Sequence, residues 1–194
     1  MSVEHVRKAL AESAQLKLKV AELLSEQIVA IAFELTASLR SGGKAIFCGN
    51  GGSAADSQHL ATELIVRLTS KNNRQALPAI SLTTNSSIIT ACANDYGFDQ
   101  IFSRQIEALG QKGDILFAIS TSGNSKNIIN AVFTANEKGL TTVGFLGCNG
   151  GKLAAMVNHP LVIPSVDVQR IQECHIAVGH IIISLAEKNL FPSR

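Results

Sequence analysis

Charge is sparse in this chain of 194 residues: 16% of positions are Asp, Glu, Lys or Arg, the formal net charge is +2, and the basic residues are scattered. Aromatic residues make up only 5%, and tryptophan is missing. Lacking both a basic stripe and a platform of stacking rings, the chain is not built to bind nucleic acid directly. Cysteine is thin as well. Cys48, Cys92, Cys148 and Cys174 stand far apart with no C-x-x-C pair, which argues against a disulfide frame or a zinc knuckle and predicts buried, reduced thiols. No uninterrupted apolar run approaches the ~20 residues of a membrane span. The first ten residues interleave acids and bases instead of placing a basic head before an apolar core. A soluble, cytoplasmic protein in a reducing compartment is expected, with no membrane partner.

What the chain has in quantity is apolar residues, 46% of the total, enough for one well-filled α/β domain over 1–194. Residues 2–41 hold neither Gly nor Pro, and Val3, Val6, Leu10, Leu16, Val20, Leu23, Leu24, Ile28, Ile31 and Leu35 recur at helical spacing. Two helices, or one long broken helix, are expected there. Beyond Lys44 the pattern alternates: strands at 44–48, 79–83, 114–119, 141–146 and 160–163, and helices at 53–68, 86–93, 98–109, 125–138, 151–156 and 168–188. Such alternation predicts a parallel sheet covered on both faces, with ligands held at the carboxyl ends of its strands. Residues 69–77 are polar without period and read as a mobile surface loop.

Two strand-to-helix turns carry the chemistry. Phe47-Cys-Gly-Asn-Gly-Gly-Ser53 places Gly49, Gly51 and Gly52 where a close backbone approach to an anion is needed, and Ser53 where it caps the next helix, whose free N–H groups attract phosphate. Ser120-Thr121-Ser122-Gly123-Asn124-Ser125 repeats the design after another apolar strand. An ordinary tight turn explains one such segment, whereas two at equivalent places point to a small phosphoester. The Lys of a P-loop is absent, and so is the G-x-G-x-x-G order of a dinucleotide fold.

His59 and Glu63 are four apart and share a helix face. A solvated pair is the usual fate of such residues, but Leu60, Leu64 and Ile65 make this helix largely apolar, and buried ionisable groups need a partner, a metal or a task. In the last helix His175 and His180 pose the same question. A lone buried His175 reads as a satisfied core residue; His59, Glu63, Gln172 and His180 together read as a site for zinc or another divalent ion. Arg67, one helical turn after Glu63, is preferred over Arg104 as a contact for a sugar phosphate. Asp95, following Asn94, fits a helix-ending turn as well as a ligand contact, and His5 and His159 read as surface residues.

Taken in order, Cys48-Gly-Asn-Gly-Gly-Ser-Ala-Ala-Asp56, His59-x-x-x-Glu63, Asn94-Asp95-Tyr-Gly-Phe, Ser120-Thr-Ser-Gly-Asn-Ser125 and Arg170-Ile-Gln-Glu-x-His resemble the bacterial phosphoheptose isomerases of the sugar isomerase (SIS) domain superfamily. The resemblance runs from the first helices to the last. It implies a flavodoxin-like doubly wound sheet, a homotetramer with residues 2–41 used in assembly, one zinc ion per subunit, and conversion of sedoheptulose 7-phosphate to D-glycero-D-manno-heptose 7-phosphate through an enediol. The implied zinc residues are His59, Glu63, Gln172 and His180. The implied substrate contacts are Asn50, Gly51, Gly52, Glu63, Asn94, Asp95, Ser120, Thr121, Ser122, Ser125 and Gln172, and Glu63 with His180 would form the acid–base pair.

The chain departs from the family in two places. Leu64-Ile-Val-Arg67-Leu68 stands where the family usually reads Leu-x-Gly-Arg followed by an aromatic, and Gln169 stands where some members have Asp. Gln172 and His180 are also eight positions apart, roughly 12 Å of rise on a regular helix. Either that helix is irregular near its start, or one of the two serves another subunit's site. A non-catalytic SIS adaptor of the replication initiator lacks the helix Glu and the final His, and both are present here. A sugar-phosphate sensor would use the same turns without turnover.

Overall fold

Strands form where apolar residues run continuously, because a parallel sheet is buried on both faces. In the computed structural model, which describes residues 2–192, all five residues of β1 (Ala45–Gly49) and all six of β3 (Ile115–Ser120) are buried. The elements run α1 (Val3–Arg40), β1, α2 (Gly52–Ile65), β2 (Ala79–Ser81), α3 (Ser86–Asp95), α4 (Ser103–Leu109), β3, α5 (Lys126–Glu137), β4 (Thr141–Leu146), β5 (His159–Val162) and α6 (Val168–Leu190). Every pairing is parallel and the strand order is β2-β1-β3-β4-β5, the flavodoxin-like arrangement.

Alternation along the strands splits the core in two. Phe47, Phe117 and Phe145 face α1, α2 and α6, while Ile46, Cys48, Leu116 and Ala118 face α3, α4 and α5. The Phe47 and Phe117 rings stack at 4.9 Å, and Phe145 meets Phe117 edge-on at 5.7 Å. Each such ring contributes about 1.5–3 kcal/mol by leaving water.

The N-terminal segment is one helix of 38 residues, not two. Nothing in it breaks the hydrogen-bond ladder: Ser2 caps the start by accepting the His5 N–H, and the first left-handed residue after it is Gly42 at φ 85°. Val20, Leu24, Ile28, Ile31 and Leu35 bury one stripe. Val6, Leu10, Leu18, Leu23 and Phe33 remain exposed on the others.

Other expectations need correction as well, the helix over 151–156 among them, which is a 3-10 turn at Leu153–Ala155. The helix predicted over 98–109 is a 3-10 turn at Phe98–Gln100 followed by α4. The segment after α2 is anchored: Leu77 is buried, its N–H bonds the Leu64 carbonyl, and the Arg74 side chain lies inside the protein. Three thiols are buried as expected, but Cys148 is exposed, in a turn where its own φ is 56°.

Candidate active site

The strand order reverses at β1, which has β2 on one side and β3 on the other. From β1 the chain enters α2 on one face of the sheet, and from β3 it enters α5 on the opposite face. The two outgoing turns therefore part and leave a crevice between them, the usual ligand position in such sheets. Asn50, Ser53, Ser120, Thr121, Ser125 and Gln172 line a hollow of about 70 Å³ there.

Backbone geometry gives this hollow the shape an anion cradle needs. Gly51 takes φ 57° and ψ −120°, which only glycine adopts at low cost, and a Cβ on Gly52 would come within 2.6 Å of Gln172 Nε2. Gly51 is the residue before α2 and no side chain caps that helix; Ser125 precedes α5 without a capping bond of its own. Both helix starts thus keep N–H groups for a phosphate. The expectation that Ser53 caps α2 is wrong: it lies in the first turn, buried, with its N–H on the Asn50 carbonyl at 3.0 Å. Ser120 and Ser125 hydroxyls are 3.3 Å apart. Ser122 is exposed and its hydroxyl accepts the Asn124 N–H at 3.2 Å. Gly123, at φ 64°, packs where any Cβ would strike the Gly150 carbonyl.

Sequence reading missed Asn127. Its amide and that of Asn50 exchange two hydrogen bonds, each 2.9 Å, so the β1 turn is tied to the first turn of α5 across the crevice. No spacing in the sequence announces that pair, because its partners are 77 residues apart.

The second constellation lies farther along α2. His59 and Glu63 on α2 meet His180 on α6, and their ligand atoms all lie within 4.8 Å of one another. His59 Nε2 is 2.8 Å from His180 Nε2 and 3.3 Å from Glu63 Oε1. Two ring nitrogens and a carboxylate oxygen converging on one point repel unless a proton or a cation sits among them. The donor set of two imidazoles and one carboxylate suits zinc.

Asp56 is a residue whose place in the sequence signals no role. It is four residues after Gly52 and three before His59, so it shares their face of α2 between cradle and cluster. Burial raises its carboxyl to about 6, with His59 pulling the other way, and Oδ2 is enclosed with no hydrogen-bond partner among the described residues.

Other predicted residues lie apart. Gln172 lines the hollow beside Gly52, whereas His180 is two turns farther along a helix that is α-helical throughout Val168–Leu190. α2 and α6 run side by side in the same direction, with Gly52 near Gln172 and Leu60 against Gly179. Within one chain, Gln172 therefore belongs to the cradle end and not to the His59–His180 end. Asn94 and Asp95 are exposed at the end of α3, bonded to each other at 2.8 Å. Arg67 lies beyond the end of α2, not on it, and is exposed. Arg104 is engaged by Glu107 at 2.5 Å and lies over the Tyr96 ring. His175 is buried as the core residue it was read to be, its Nε2 bonded to the Leu146 carbonyl at 3.0 Å.

Comparison with known proteins places the chain as a whole. The profile of the SIS domain matches residues 10–147. A phosphoheptose isomerase of Aquifex aeolicus is 49% identical over 186 residues, spanning 96% of either chain. The solved phosphoheptose isomerase of Francisella tularensis superposes with a TM-score of 0.92 at 36% identity, covering 97% of this chain and 99% of that one. The Neisseria gonorrhoeae phosphoheptose isomerase gives 0.89 at 41%, covering 95% and 98%. With likeness of this extent in both sequence and structure, the chain belongs to the SIS domain family and, within it, to the phosphoheptose isomerases.

Proposed function

We propose that this chain interconverts sedoheptulose 7-phosphate and D-glycero-D-manno-heptose 7-phosphate, the step that starts activated-heptose synthesis. The observation that carries the reading is the convergence of His59, Glu63 and His180 on the same helix pair that opens on the anion cradle. Backbone N–H groups of Gly51 and Gly52, with the hydroxyls of Ser120, Thr121, Ser122 and Ser125, hold the phosphate. The Glu63 carboxylate takes the proton from the carbon next to the carbonyl and returns it to the neighbouring carbon. The His180 imidazole moves the matching proton between the two oxygens, so the enediol forms and collapses without net change in charge. Glu63 suits this task because its side chain is only 16% exposed and it is held beside His59.

His59, Glu63 and His180 fit a zinc ion, while Gln172, the fourth expected donor, lines the cradle of its own chain. When bound, the ion supplies stabilisation of the negative charge that develops on the sugar oxygens. Assembly follows from the same surfaces. The exposed stripes of α1 and an apolar groove between α1 and α6, lined by Val20, Ile28, Ala177, Ile181 and Leu185, call for a symmetric homotetramer with sites at subunit interfaces. Asn94, Asp95 and Arg67, which stand apart from both constellations in one chain, reach substrate from such an interface. No helix among the described residues is long and apolar enough to cross a membrane.

The test is incubation of purified, metal-analysed protein with sedoheptulose 7-phosphate, followed by NMR. Aldose should appear, metal analysis should return about one zinc per subunit, and Glu63→Gln should stay folded with turnover down ~100-fold or more. His180→Gln should behave likewise, and the double variant should be little worse than either single one. Near-parent turnover in Glu63→Gln rejects the acid–base assignment, and full activity in exhaustively chelated protein rejects the metal.

A further inference from the structure

Residues 69–77, between α2 and β2, read as polar surface chain, yet they carry an arginine whose side chain is inside the protein. The Arg74 side chain is 1% exposed and that of its partner, Glu187 on α6, is 5% exposed. Arg74 Nε donates to Glu187 Oε1 at 2.7 Å, and Nη2 lies 2.6 Å from the same oxygen. Asn72 donates its amide to the other carboxylate oxygen at 3.2 Å. The guanidinium also donates from Nη1 to the Gln75 carbonyl at 2.9 Å and from Nη2 to the backbone carbonyl of Glu63 at 2.7 Å.

That last bond bears on the reaction. Glu63 is in the final turn of α2, where carbonyls lack a helical N–H partner, and Arg74 supplies the missing donor together with a positive charge suited to a helix C-terminus. α2 carries His59 and Glu63; α6 carries His180, and Glu187 is seven residues beyond it, two turns along on the same side. Arg74 thus ties the end of α2 that bears Glu63 to α6 below His180. On the other side of the cluster, Gly179 lets Leu60 pack directly on α6. Between these two fastenings the distance from Glu63 to His180 has little freedom.

Stability alone does not explain the pair. A buried ion pair costs desolvation that its attraction barely returns, and apolar residues of similar volume often serve as well or better. We propose that Arg74 and Glu187 are positioning residues for the isomerisation, holding the Glu63 carboxylate at its working distance from His180. This rests on the assignment of Glu63 and His180 made above.

The test is a cycle of variants on intact protein with sedoheptulose 7-phosphate. Arg74→Met combined with Glu187→Leu removes both charges and keeps the volume filled. It should unfold cooperatively close to the parent temperature, with kcat down ~10- to 100-fold, the range that a displacement of about 1 Å produces, and with KM little changed because the cradle lies at the other end of α2. In a Glu63→Gln background the same pair of changes should cost less than about 2-fold more, since there is no carboxylate left to place. A purely structural role would lower activity by the same factor in both backgrounds, and that result overturns the inference, as does parent-like kcat in the folded variant. Where the combined variant does not fold, Arg74→Lys is read by the same cycle: a lysine keeps its charge near Glu187 but has no second fork for the Glu63 carbonyl, and parent-like kcat again overturns the proposal. If Glu63→Gln alone keeps parent turnover, it is the assignment of Glu63 that fails, and the positioning role falls with it.

Discussion

His175 and His180 are five residues apart on one helix and have opposite chemistry because their surroundings differ. His180 faces the cleft beside His59 and Glu63, whereas His175 is fully enclosed against Phe145 with Nδ1 unpartnered among the described residues. Burial lowers the His175 pKa from 6.5 to about 4, only partly opposed by the bond to the Leu146 carbonyl. A base with a depressed folded-state pKa stays neutral in the fold and takes up a proton on unfolding. Its contribution is complete above the unfolded value and is lost as pH falls from 6.5 towards 4, by roughly 3 kcal/mol at most. Asp56, raised to about 6 by burial, acts the other way: its contribution is present below the unfolded carboxyl value of 3.8 and is lost as pH rises through 6. The two slopes oppose each other between pH 4 and 6, so the effect of His175 is best read by difference. His175→Gln keeps an amide donor for Leu146 without titrating, and its melting temperature should fall less than the parent's between pH 6.5 and 4.5. Identical slopes in the two proteins would show that His175 is not the group responsible.

At the scale of elements, α2 and α6 are the pair that makes the cluster, and Gly179 sets how closely they pack. A Cβ there would lie 2.6 Å from Leu60 Cδ2, one residue from both His59 and His180. Two effects of Gly179→Ala compete. Alanine is favoured over glycine inside a helix by about 1 kcal/mol, while overpacking a filled core costs typically 1–3 kcal/mol. Leu60 is 1% exposed and has nowhere to move, so overpacking wins. The variant should melt a few degrees lower and turn over substrate more slowly, because the helices part at the level of the histidines. A rise in melting temperature with unchanged turnover would mean the helix interface is looser than described.

At the scale of the molecule, α1 is the unusual element. A helix of 38 residues is about 57 Å long, well beyond what a sheet of short strands covers, and it leaves Leu18 71% and Phe33 59% exposed. In the assembly proposed above, copies of the same chain would close these stripes and meet at the cleft. Leu18→Glu combined with Leu23→Glu should therefore lower the light-scattering mass and abolish turnover together, although both residues are exposed in the single chain and neither lies near His180 in sequence. A sample with the mass of one subunit that still isomerises sedoheptulose 7-phosphate would separate assembly from activity and overturn the interface reading.

Local periodicity, glycine placement and i, i+4 spacing made most of the element order, the two glycine- and serine-rich turns and the shared His59–Glu63 face legible in the sequence. The alternation of apolar strands with helices was enough for a parallel sheet. Which separate segments meet depends on how the whole chain packs. The crossing of α2 with α6 brings His180 to His59, the parting of β1 and β3 at the strand reversal opens the cradle, and the Asn50–Asn127 amide pair ties its two sides together. Packing also moved Arg67 off its helix, since α2 stops at Ile65, and turned the segment after it from a loose loop into the seat of Arg74. A polar stretch without period looks alike in sequence whether its arginine points to water or inward. The difference arises from Glu187, 113 residues away, whose carboxylate and the Glu63 carbonyl make the interior position satisfiable.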